Sequence, residues 1–84
     1  MGARVKLPKI GSLCRFTWLD ATGYIGVDAD EPRPASCITV GWLKSVEKDY
    51  ILVATSLYTD GSGDFTVLPI GILTAVHKVE ENER

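Results

Sequence analysis

The stretch from Ser36 to Tyr58, SCITVGWLKSVEKDYILVATSLY, constrains this chain more than any other. Two apolar, β-branched runs flank a short charged turn, Glu47-Lys48-Asp49. Such a pattern is that of a β-hairpin, because β-branched residues favour the pleated strand and the charges favour a solvated connection. Ile38, Val40, Trp42 and Val46 make up the apolar set of the first run. Gly41 interrupts it, and a glycine inside a strand marks a bend, a bulge or a close backbone approach. A long strand bent at glycine lets a small sheet curl toward closure. In the second run, Ile51, Val53 and Leu57 fall on one face, with Leu52 and Ala54 on the other. Apolar residues on both faces predict a covered strand, read here as the central one.

The rest of the chain adds strands to this hairpin. In Leu13–Asp20 the side chains alternate, with Cys14, Phe16 and Trp18 predicted inward and Leu13, Arg15, Thr17 and Leu19 on the other face. Asp60-Gly61-Ser62-Gly63-Asp64 is a turn followed by the β run Phe65–Leu68. A phosphate-cradling glycine loop would lead into a helix instead. Pro69-Ile70-Gly71 then makes a compact corner before the last strand, Ile72–Val79. Between the first strand and the hairpin, residues 21–34 contain two glycines, two prolines and three close carboxylates, Asp28, Asp30 and Glu31. This is a loop with a solvated acidic cluster, lacking the ligand spacing of an EF-hand, and Tyr24 and Ile25 are expected to tuck back onto the barrel mouth. Residues 1–10 form a basic arm or edge segment containing Pro8, and residues 80–84 a charged, frayed tail. No stretch has a helical period. The expectation is an all-β fold, one small, strongly bent five-stranded barrel spanning residues 1–84.

Composition narrows the function. An 84-residue chain buries only about 60% of its unfolded surface, yet 45% of its residues are hydrophobic, so a partner subunit covering some of them is expected. A net charge of -2 argues against a general coater of DNA, though not against a local basic patch repeated by symmetry. Cys14 and Cys37 are far apart and read as small apolar strand residues rather than a disulfide or metal pair. The single histidine, His77, lies in an alternating β run, and no nucleophile has a base near it in sequence. A non-enzymatic protein needing no cofactor and no metal is expected. With no continuous apolar start and no membrane-length run, its expected address is cytoplasmic.

Five short strands, a long first loop, a central hairpin and the corner Val67-Leu68-Pro69-Ile70-Gly71-Ile72 resemble an SH3-like or Sm-like barrel. More narrowly, Trp18-Leu19-Asp20-Ala21, Val40-Gly41-Trp42-Leu43 and Leu68-Pro69-Ile70 resemble a group of small bacteriophage proteins of unknown function. A phage-encoded protein would work in the cytoplasm of the bacterial host. The Sm resemblance implies ring assembly and RNA binding. Sm proteins carry their RNA contacts in the turn after the second strand and before the last. The corresponding Glu47-Lys48-Asp49 and Pro69-Ile70-Gly71 match neither motif, so no contact residue is carried over. Edge pairing is also expected on physical grounds, because Phe65–Leu68 and Leu73–Val79 are apolar edges with few protecting charges. Pairing unlike edges closes into a cyclic homo-oligomer.

The function expected first is a ring that binds RNA or a nucleotide, with bases stacked on aromatics and phosphates met by cations. The candidate ligand residues are Tyr24, Trp42, Lys44, Lys48, Tyr50 and Tyr58. The alternatives are a structural protein with a protein partner, using the acidic loop Asp28–Glu31, or a sponge for small signalling nucleotides. A binder of nucleic acid should gather Lys44, Lys48 and the arm's Arg4, Lys6 and Lys9 on one face of the ring. An interaction protein should show an apolar or acidic patch instead.

Overall fold

A computed structural model describes residues 5–20 and 35–79. Among these residues five strands follow one another: β1 (Leu13–Asp20), β2 (Ala35–Val46), β3 (Tyr50–Leu57), β4 (Gly63–Pro69) and β5 (Leu73–Lys78). A single 3-10 turn, Ile70–Ile72, separates β4 from β5 where the sequence places the corner. The strands form one antiparallel sheet in the order β4-β3-β2-β1-β5. All-β architecture is therefore as expected, while closure is not: the sheet is open, and β4 and β5 are its edges. The acidic loop and the tail lie outside the described residues, as do Tyr24 and Ile25.

The middle strand is β2, not the Tyr50–Tyr58 run that the apolar pattern singles out. The reason is length. β2 has 12 residues and serves two neighbours in succession: residues 35–42 pair with β1, and residues 42–46 with β3. Trp42 belongs to both ladders, opposite Leu13 on one side and Ala54 on the other. At this junction Gly41 is buried, and a Cβ built there would lie 2.6 Å from Val53 Cγ1 and closer still to the Ala54 carbonyl oxygen. The glycine thus permits a close approach of β3 to β2.

Register also decides which face of β2 is inside. Directly paired residues share a face of the sheet. Phe16 lies opposite Thr39 and Cys14 opposite Gly41, so Thr39 and Gly41 turn inward with Leu43. Ile38 and Val40, members of the apolar set, consequently point out and are 62% and 51% exposed. Thr39 is accommodated inside because its hydroxyl oxygen accepts a bond from Trp18 Nε1 at 3.0 Å. The core comprises Cys14, Phe16, Leu43, Ile51, Val53, Leu68, Ile70 and Leu73, with Trp18 packed against it.

The segment ahead of β1 contributes too. Val5 and Leu7 pack on the core while Lys6 and Lys9 stay exposed. Gly11 donates its N–H to the Leu43 carbonyl at 2.7 Å, and Leu43 returns the bond to Ser12 at 2.9 Å. The segment is thereby fixed beside β2.

Both cysteines are free, Cys14 buried and Cys37 half-buried. Burial pushes the Cys14 thiol up, with Lys78 opposing. A raised value means that the fold favours the neutral thiol. That contribution is complete below the unfolded thiol's pKa and is lost as pH rises through the higher folded value. In the native protein at mildly alkaline pH, iodoacetamide is expected to modify Cys37, and Cys14 only after denaturant is added. Peptide mass mapping checks this, and equal labelling of both under native conditions would contradict the buried placement of Cys14.

Candidate ligand-binding site

The outward face of the sheet is built in rows by strand register. Leu13, Trp42, Ala54 and Phe65 form one row across β1, β2, β3 and β4. Val79 extends this row past the end of β5 by donating its N–H to the Leu13 carbonyl at 2.8 Å. One step along, His77, Arg15 and Val40 form a second row, followed by Ala75, Thr17 and Ile38. On another part of the same face, Leu52 pairs with Val67 and Tyr50 with Pro69. The described carboxylates, Asp20, Glu47, Asp49, Asp60 and Asp64, occupy strand ends and turns or the inward register, and none falls in these rows.

A groove of about 770 Å³ opens at the Leu13–Trp42–Val79 end of the first row. The segment held by Gly11 brings Lys9 and Ile10 to one wall, and the end of β5 brings Lys78 to the groove. Trp42 is half-buried there, and both lysines are exposed. An indole with two cations in a cleft of mixed polar and apolar lining suits a ligand that is planar and anionic. Such a ligand's ring would find a stacking surface in the indole, and its negative oxygens would find the two ammonium groups.

The six residues proposed from sequence are not gathered in one place. Trp42 lines the groove. Lys44 lies at the irregularity between Leu43 and Ser45, exposed and two residues along β2. Lys48 sits in the β2–β3 turn between Glu47 and Asp49, and Tyr50 follows it, exposed, at the start of β3. Tyr58 lies just beyond the other end of β3, roughly 25 Å from Tyr50 at about 3.3 Å per residue. Its hydroxyl donates to Asp64 Oδ2 at 3.0 Å. In the adjoining turn the Ser62 hydroxyl and N–H bond Asp60 Oδ1 and hold that carboxyl below its usual range. The β3–β4 turn is therefore an acidic place with a committed tyrosine, poorly suited to phosphate. Tyr24 lies outside the described residues.

Sequence reasoning left Lys78, Arg15 and His77 out of the site and treated Lys9 only as an arm cation. No spacing in the sequence joins them to Trp42. Register carries Arg15 and His77 to the row beside Trp42, while Lys9 and Lys78 come to the groove from the segment ahead of β1 and from the end of β5. Among the described residues, no helix is long and apolar enough to cross a membrane. Comparisons with protein-family models, with curated proteins and with solved structures find no match for this chain.

Proposed function

We propose that this protein is a non-enzymatic, Sm-like small β-barrel protein of phage origin that assembles into a closed ring and binds RNA or a nucleotide. The observation that carries the binding part is the groove where Trp42 lies with Lys9 and Lys78. Base stacking on an aromatic plus cations for the backbone is the usual economy of single-strand binding. Assembly is supported by the two edges of the sheet, β4 and β5, which no other strand among the described residues covers, since exposed edges call for a partner. Joining β4 of one copy to β5 of the next satisfies both edges with a single repeated contact.

The test is the mass of the purified protein by light scattering, at low and high salt, with absorbance at two wavelengths. A discrete ring carrying nucleic acid that salt removes is the expected result, since counterion release weakens phosphate contacts as salt rises. A monomer free of nucleic acid at every salt concentration would overturn the proposal.

A second reading, a structural protein with a protein partner, draws on the exposed apolar side chains Ile38, Val40, Phe65 and Val67. Large exposed apolar patches mark interaction surfaces. A clean ring that captures no nucleic acid favours this reading.

A further inference from the structure

We infer that the ligand path continues out of the groove onto the outward face of β5, β1 and β2, so that the preferred ligand is a single strand of at least two nucleotides rather than a free mononucleotide. This rests on the nucleic-acid reading above and specifies its substrate.

Register lays out the path. Leu13 and Trp42 in the groove are neighbours, two residues along each strand, of Arg15 and Val40. Arg15 is paired in turn with His77 on β5. Both Arg15 and His77 are exposed. The step from one row to the next is about 7 Å at ~3.3 Å per residue, the scale of one nucleotide in an extended strand. Lys9 and Lys78, which line the groove, serve one phosphate position, and Arg15, with His77, the next. Val40 beside Arg15 and Ile38 beyond it give the second base an apolar surface. Arg15 also brings a planar guanidinium that can fork to phosphate oxygens or stack on a base. A protein partner would be served by the apolar residues alone. The absence of any carboxylate from the described rows, with Lys9 and Lys78 at the groove and Arg15 and His77 on the row beside it, favours a polyanion threaded along them.

The experiment compares binding of fluorescent tetrauridylate with competition by uridine monophosphate. The proteins are native, Trp42→Ala, Arg15→Ala and the double change Arg15→Ala/His77→Ala, with far-UV circular dichroism verifying the fold. Native protein is expected to prefer the tetranucleotide by at least about tenfold, and Trp42→Ala to lose about tenfold or more for both ligands. Arg15→Ala should weaken only the tetranucleotide and reduce its salt slope by about 0.7 for the one cation lost. Unchanged tetranucleotide affinity and salt slope in the double variant overturn the extended path but leave the groove reading standing. Equal affinity of the native protein for monomer and tetramer does the same. No binding of either ligand by the native protein overturns both readings. Competition by poly-glutamate as effective as that by tetranucleotide overturns the inference in favour of an acidic polypeptide.

Discussion

Gly41→Ala is expected to destabilise the protein by about 3 kcal/mol, the upper part of the range for overpacking a filled interior. The added methyl would fall against the Ala54 carbonyl oxygen and Val53 Cγ1. One of these neighbours is backbone, so the strain cannot be relieved by a rotamer change, and β3 must move away from β2. That movement would loosen the ladder at Trp42↔Ala54 and Leu43↔Val53. The same chemical change at Gly71 supplies the contrast, because a Cβ there meets nothing within 4 Å. Gly71→Ala should stay within about 0.5 kcal/mol of native, as surface substitutions usually do. Urea midpoints of the two variants check this, and similar midpoints would mean that β2 and β3 do not approach closely at Gly41.

Phe16→Ala is expected to cost about 3–5 kcal/mol, combining lost burial with the cavity left behind. Phe16 is completely buried on β1, between Thr39 on β2 and Val76 on β5. A chain of 84 residues has a total stability of about 4–13 kcal/mol at the usual 0.05–0.15 kcal/mol per residue, so this single change removes a large share. Phe65→Ala removes the same ring from the outward face of β4, where it is 47% exposed, and should cost under about 1 kcal/mol in an isolated chain. Thermal melts at several protein concentrations separate the cases. A Phe65 effect as large as that of Phe16, growing with concentration, would reveal an outward face covered in the assembly. Equal and concentration-independent effects would contradict the assigned core.

Local pattern made much of this architecture legible. The alternation in LCRFTWLD gave the extent of β1 and its inward set, and the charged and glycine-rich turns located both hairpins. The Pro69-Ile70-Gly71 break corresponds to the 3-10 turn, where Ile70 donates its N–H to the Asp49 carbonyl at 2.8 Å. The inward face of β2 was harder, because Thr39 and Gly41 are not apolar by composition and are placed inside by pairing with Phe16 and Cys14. The candidate site was legible only at Trp42. Tyr50 and Tyr58 look equivalent in sequence, but strand length carries them to opposite ends of β3, and Asp64 engages the second. Lys9 and Lys78 reach Trp42 from remote parts of the chain, a proximity no linear spacing encodes.

The pairing of β1 with β5 sets the order in which this molecule can be made. β2, β3 and β4 are joined by short turns, so their meander closes small loops and can form early. Phe16 and Val76, by contrast, are 60 positions apart in the chain, and their encounter must wait for a costly long-range closure. During synthesis β5 also emerges after the other four described strands, so the side of β1 that it pairs with waits for it. The vulnerable species is consequently a nascent chain with its meander built and β1 uncapped. Any factor that guards this protein in the cell has that interval to act.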